Sequence, residues 1–172
     1  MDLFEAIARR HSYRGAFTGA PVPREDLRKI VEAGLKAPSG ANKQTTTFVI
    51  VDDPDTLAKI NEIAKPYSPP QAMIVCVVDP APVLRDMSFE KEDCSAAVQN
   101  MLLAITALGY ATVWVDGQLR SEDRAARLGK LLGVPEDRRV QIILPLGVPA
   151  ESCSGPEKKP FEERAWFNTY GG

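Results

Sequence analysis

Four short apolar runs rich in β-branched residues, at residues 47–51, 73–78, 110–115 and 140–146, are separated by segments of helical periodicity. That alternation leaves few architectures open, since each strand and each helix has an apolar face to bury against another layer. The first two runs lack strict apolar–polar alternation, which predicts strands buried on both faces. Leu27, Ile30, Val31, Gly34 and Leu35 follow at i, i+3, i+4, i+7 and i+8 and predict an amphipathic helix. Pro23 fits its first turn, where a missing N–H costs nothing, and Ala37-Pro38 stops it. A shorter helix precedes it, with Asp2 and Glu5 as a capping box and Leu3, Phe4 and Ile7 as its apolar face, ending near Arg10. Asp53-Pro54 opens a third helix carrying Leu57, Ile60 and Ala64. Residues 93–108 are apolar at Val98, Met101, Leu102 and Ile105 with alanines on the other sides, so they predict a central core helix stopped by Gly109. Ser121 begins the last helix, with Ala125, Leu128, Leu131 and Leu132, ended by Gly133 and Pro135. Pro145 predicts a sheet edge or an irregularity within the fourth run. Periodicity alone allows either an α/β or an α+β sandwich.

Composition narrows the function classes. At 172 residues the chain fits one domain spanning 1–172, and its net charge of -2 with no basic stripe gives nucleic-acid binding little support. No apolar run approaches the roughly 20 residues of a membrane span. The first ten residues have a helical period and no signal-peptide core, so the expectation is a cytoplasmic protein. Three scattered cysteines and a single histidine make a structural zinc site essentially excluded. Cys76 is expected in the core, Cys94 and Cys153 as free thiols, and nothing local supports a catalytic Cys–His pair.

Two polar loops carry the chemistry. In the first, Arg10, His11, Ser12 and Arg14 place two guanidinium groups around a hydroxyl, a donor set suited to a dianionic phosphate. In the second, Pro38, Ser39, Gly40, Asn42 and Gln44 offer small, hydroxyl and amide groups suited to the polar edge of a flat heterocycle. Together they suggest a phosphorylated planar cofactor. Each also has a plainer reading: basic residues favour a helix C-terminus, and Gly40 and Asn42 suit turns for backbone reasons.

The order of these motifs resembles the nitroreductase family of FMN-dependent oxidoreductases. The matching features are Arg-His-Ser-x-Arg, then Ala-Pro-Ser-x-x-Asn-x-Gln before an apolar strand, then Asp93 to Ala104 opening the long helix that leads into the run ending at Asp116 and Gly117. Leu132-Gly133-Val134-Pro135-Glu136 and Leu146-Gly147-Val148-Pro149 complete the series.

The resemblance implies an α+β fold, a nitroreductase-like three-layer α/β/α sandwich with a central mixed sheet, acting as a homodimer. It implies that Arg10, His11, Ser12 and Arg14 contact the FMN phosphate and ribityl chain, with Lys158 closing on the phosphate from the C-terminal side. It implies further that Pro38, Ser39, Gly40, Asn42 and Gln44 contact the flavin ring, often from the opposite subunit, and that backbone donors around Asp116 and Gly117 reach the N5–O4 edge. The aromatic tail, 157–172, is expected to embrace the partner subunit. The implied activity is ping-pong: NAD(P)H reduces the flavin, then an electron-poor acceptor such as a nitroaromatic or quinone is reduced, with no obligatory side-chain nucleophile. Thr45 and Thr46 stand where the family often has Pro-Trp, so one wall of the pocket is smaller or more polar. The connection at 79–92 is shorter than the family's usual helical insertion. Alternatives are a non-catalytic flavin-binding or flavin-storage protein, and specialised flavin chemistry such as reductive dehalogenation.

Overall fold

A computed structural model describes all of residues 1–172. In chain order the main elements are helix α1 (Leu3–Arg9), helix α2 (Arg24–Leu35), strand β1 (Thr46–Val51), helix α3 (Pro54–Ala64), strand β2 (Ala72–Val78), helix α4 (Glu90–Ala107), strand β3 (Ala111–Thr112), helix α5 (Arg124–Leu131) and strand β4 (Arg139–Gly147). The strands form one sheet in the order β1-β2-β4-β3.

Every residue of β2 is buried, and its side chains divide between two cores. Ala72, Ile74, Cys76 and Val78 join α2 and α4 residues such as Leu27, Ile30, Val98 and Met101 on one face. Met73, Val75 and Val77 join Leu57 and Ile60 of α3 and Leu128 of α5 on the other. This is the three-layer α+β arrangement, and fully burying each such aliphatic side chain contributes about 1.5–3 kcal/mol. The sheet was expected to be mixed; all three of its pairings are antiparallel. A strand buried on both faces has the same apolar pattern in either direction, so composition does not report orientation.

Helix α4 packs closely against α2. A Cβ at Gly34 would lie 2.8 Å from Met101 Cγ, and Asn100 Nδ2 donates to the Ala33 carbonyl at 3.1 Å. Pro145 lies inside β4, between β2 and β3, not at an edge. The irregularity is in the neighbour: β3 pairs with β4 only at Ala111 and Thr112, and contact resumes as a single bridge from Val115 to Ile143. The gap in the ladder falls where the proline has no N–H to give. Residues 79–89, before α4, hold only a tight turn in which Leu84 and Met87 pair.

Candidate functional site

The first loop leaves α1 at Arg10, whose backbone N–H donates to the Ala6 carbonyl at 3.0 Å. Tyr13 is buried and fixes the loop to the sheet edge. Its N–H donates to the Thr112 carbonyl at 2.8 Å, and its hydroxyl donates to the Ala16 carbonyl. His11 Nδ1 lies 2.9 Å from the Arg9 carbonyl, which only accepts, so in the neutral ring Nδ1 carries the proton. Nε2 then accepts from the Cys153 thiol at 3.0 Å. Nothing in the sequence joins these two residues, and the pairing is a product of the fold. Gly155 passes so near that a Cβ there would lie 2.8 Å from His11 Cβ. Lys158 is three residues beyond, within about 10 Å of extended chain. The chain's own C-terminal segment thus runs past the first loop.

Arg14 lays its guanidinium over the Tyr67 ring, 5.1 Å from the centroid, a cation–π contact that leaves its charge without a carboxylate. None of the chain's ion pairs involves Arg10, Arg14 or Lys158. A cleft of about 600 Å³ opens beside the loop, lined by Arg9, His11, Tyr13, Tyr110, Glu151 and Cys153 among others.

The second loop turns tightly. Asn42 N–H donates to the Ser39 carbonyl at 3.0 Å, and Gln44 N–H donates to Ser39 Oγ at 3.0 Å. Pro38, Asn42 and Gln44 are exposed, and Ser39 and Gly40 half-buried. Ala41, Asn42 and Gln44 take φ of 49°, 54° and 53°, the left-handed region that side chains other than glycine's disfavour. Beneath the loop lies the buried carboxylate of Asp93, on the first turn of α4. It accepts from Gly40 N–H at 2.8 Å and from Thr45 Oγ1 at 2.8 Å. Nothing in the sequence around Asp93 marks it for this role, because its two partners lie 53 and 48 positions away.

The third segment follows the Val115 bridge. Asp116 accepts from Arg120 at 2.7 Å, and Gly117 opens a single helical turn, Gly117–Arg120. A Cβ at Gly117 would meet nothing within 4 Å. Packing within the protomer therefore does not require glycine there, and the space is open to a ligand.

Tyr13 ties the first loop to β3, and Asp116 and Gly117 continue from the same edge. The second loop enters β1, at the opposite edge. Three strand spacings, roughly 14 Å, separate those edges, so one protomer does not bring the two loops together. Cys94 and Cys153 are both free thiols, Cys153 exposed and Cys94 fully buried. It lies against Cys76, whose thiol is held well above its usual range by hydrogen bonding with Cys94 and by burial. No three His, Cys, Asp or Glu side chains cluster closely enough to hold a metal. The cations of the first loop, Arg10 and Arg14, have no carboxylate partner and form with Ser12 a donor set that suits a phosphate.

A family profile described as the Nitroreductase family matches residues 7–69 and 71–148. A protein of Methanothermobacter thermautotrophicus, provisionally named an NADH dehydrogenase/NAD(P)H nitroreductase, is 36% identical over 163 residues, covering 88% of this chain and 80% of the relative. The solved NADPH:FMN oxidoreductase of Vibrio harveyi, complexed with NAD+, superposes with a TM-score of 0.82 at 25% identity, covering 98% of this chain and 77% of the other. The nitroreductase of Bacteroides fragilis, crystallised with bound FMN, superposes with a TM-score of 0.75 at 28% identity, covering 93% and 95%.

Proposed function

The chain belongs to the nitroreductase family, and we propose that it is an FMN-dependent oxidoreductase working as a homodimer. It takes hydride from NAD(P)H and passes it to an electron-poor acceptor such as a nitroaromatic or a quinone. The observation that carries this reading is the family match across residues 7–148, with a gap only at residue 70, within which lies an arginine loop free of carboxylate partners.

In this reading Arg10, Ser12 and Arg14, with His11 and Lys158, hold the phosphate and ribityl chain through charge-assisted hydrogen bonds. Backbone donors around Asp116 and Gly117 face the N5–O4 edge of the ring. Pro38, Ser39, Gly40, Asn42 and Gln44 line the ring from the partner subunit. The position of the two loops at opposite sheet edges supports this division of one site between two chains. When bound, FMN supplies the two-electron chemistry, and the protein supplies position and charge. The exposed faces of α1 (Phe4, 81% accessible) and of the tail (Tyr170, 92% accessible) support a subunit interface.

The test is the visible spectrum of the purified protein. Flavin absorbance bands that bleach on adding NADH or NADPH are the expected result. A colourless protein that takes up no FMN overturns the reading, and flavin that no pyridine nucleotide reduces would leave a binding or storage protein.

A further inference from the structure

We propose that Asp93 is a positioning residue for the flavin ring: from the first turn of α4 it holds the second loop in the shape that presents Asn42 and Gln44. The inference rests on the assignment of that loop to the ring made above. The loop does not hold itself. Three of its residues, Ala41, Asn42 and Gln44, sit in left-handed backbone without being glycine, a conformation that persists only where the surroundings over-determine it. Its internal bonds, from Asn42 and Gln44 to Ser39, close the turn but do not anchor it to the body of the protein.

The anchors come from below. Asp93 is 6% exposed, and its two carboxylate oxygens go to the two ends of the loop: Oδ1 accepts from Gly40 N–H and Oδ2 from Thr45 Oγ1, each at 2.8 Å. Asp79 N–H adds a bond to the Thr45 carbonyl at 3.0 Å. The Phe89 ring closes the space under Gly40 so tightly that a Cβ there would overlap it. One carboxylate therefore spans the loop from end to end while the positive end of the α4 dipole favours its charge. Asn42 and Gln44 stay exposed above it. The half of the site contributed by this loop is thus preorganised in the protomer, before any partner docks.

The test compares Asp93→Ala, Asp93→Asn and Thr45→Val with Asn42→Ala and Gln44→Ala in the full-length protein. Binding of FMN and of riboflavin, the hydride-transfer rate with flavin saturating, and the unfolding midpoint are read for each. Asp93→Ala is expected to weaken FMN and riboflavin by the same factor, because the defect is on the ring side, and to slow reduction by saturating NAD(P)H by about 10- to 100-fold, the scale of an ångström-level misplacement. Asp93→Asn, which can still span Gly40 and Thr45 with one acceptor and one donor, is expected to recover most of that rate. Should Asp93→Ala fail to fold, Thr45→Val removes one of the two anchors and is expected to show a smaller loss of the same kind. If the Asn42 and Gln44 variants impair flavin binding or reduction while folded Asp93→Ala, or Thr45→Val in its place, behaves as wild type, the positioning role is wrong and the site assignment stands. If the Asn42 and Gln44 variants leave a flavin-loaded enzyme untouched, the loop is not at the ring and both fall.

Discussion

Arg10 and Arg14 look interchangeable in the sequence but are differently engaged in the fold. Arg14 rests on the Tyr67 ring, whereas Arg10 has neither an aromatic nor a carboxylate partner and is the freer of the two for a phosphate. Arg10→Ala is expected to remove a charge-assisted contact of roughly 1.5–3 kcal/mol, about 10- to 150-fold in FMN affinity, and to leave riboflavin affinity unchanged. Fluorescence titration with both ligands checks this, and equal losses would reject the phosphate assignment. Gly117 offers a second test at this scale. Its missing Cβ faces open space, so Gly117→Val is expected to leave the unfolding midpoint within about 2 °C of wild type, the range of an ordinary surface change. It should nevertheless slow stopped-flow bleaching of the flavin-saturated protein, because the branched side chain would crowd the donors at the ring edge. A variant that bleaches at the wild-type rate would remove Gly117 from the site. Residue types suited to a phosphate were legible in the sequence; their partners were not. His11 and Cys153 are 142 positions apart, and Asp93 is 53 from Gly40. Only the fold makes them neighbours.

At the scale of elements, hydrogen-bonded carboxylates cap helices or tie them to what they pack on, and they are expected to set the acid limit of stability. Asp26 of α2 is held below its usual range by the Tyr110 hydroxyl, Asp52 by Arg24, and Asp53, the cap of α3, by Thr56. Glu90, at the start of α4, is lowered by hydrogen bonding from Ser88 and by Arg139, despite its burial. A lowered folded-state value means that the stabilisation is complete above the ordinary carboxylate value, about 4, and is lost as pH falls through the lowered values. The unfolding midpoint is therefore expected to be level from pH 8 to about 5 and to fall below about pH 4. Tyr110→Phe should make that acid limb shallower; a limb as steep as in wild type would show that Asp26 contributes nothing to it. The same elements show what a sequence conveys about structure. Strand β2 was legible because burial on both faces demands continuous apolar residues; β1 has the same kind of run but is an edge strand with Thr47 and Ile50 exposed, so its apolar run did not report its burial. The strand expected at 110–115 is reduced to Ala111 and Thr112 plus one bridge, because Pro145 sits opposite the remainder. Helix α5 begins at Arg124, not Ser121, since Glu122 and Asp123 adopt left-handed backbone. Such a start depends on local strain that composition does not report.

The whole protomer exposes more surface than its mass calls for. A compact monomer of 18.8 kDa is expected to show about 8,300 Å², whereas this chain shows 10416 Å². The surplus is of the order that a subunit hides in an obligate homodimer. Part of it is the tail, where Phe161 stacks near Phe167 at 5.9 Å and Trp166 near Tyr170 at 4.4 Å. These rings touch one another, and all but the half-buried Trp166 remain open to solvent, Phe167 at 79% and Tyr170 at 92%. Deleting residues 161–172 should therefore cost the protomer's own core little. It also spares Gly155 and Lys158, so the first loop keeps the segment that passes it. In the proposed dimer, what the deletion removes is surface offered to a second copy, and with it the closure of the shared site. The full chain is expected to sediment as a dimer with FMN bound, and the truncated chain to shift toward monomer, to lose solubility and to release flavin without a matching drop in unfolding midpoint measured flavin-free. A truncated chain that remains a flavin-loaded dimer would show that the tail plays no part in assembly, and would leave α1, with Leu3, Phe4 and Ile7 exposed, as the face to mutate next.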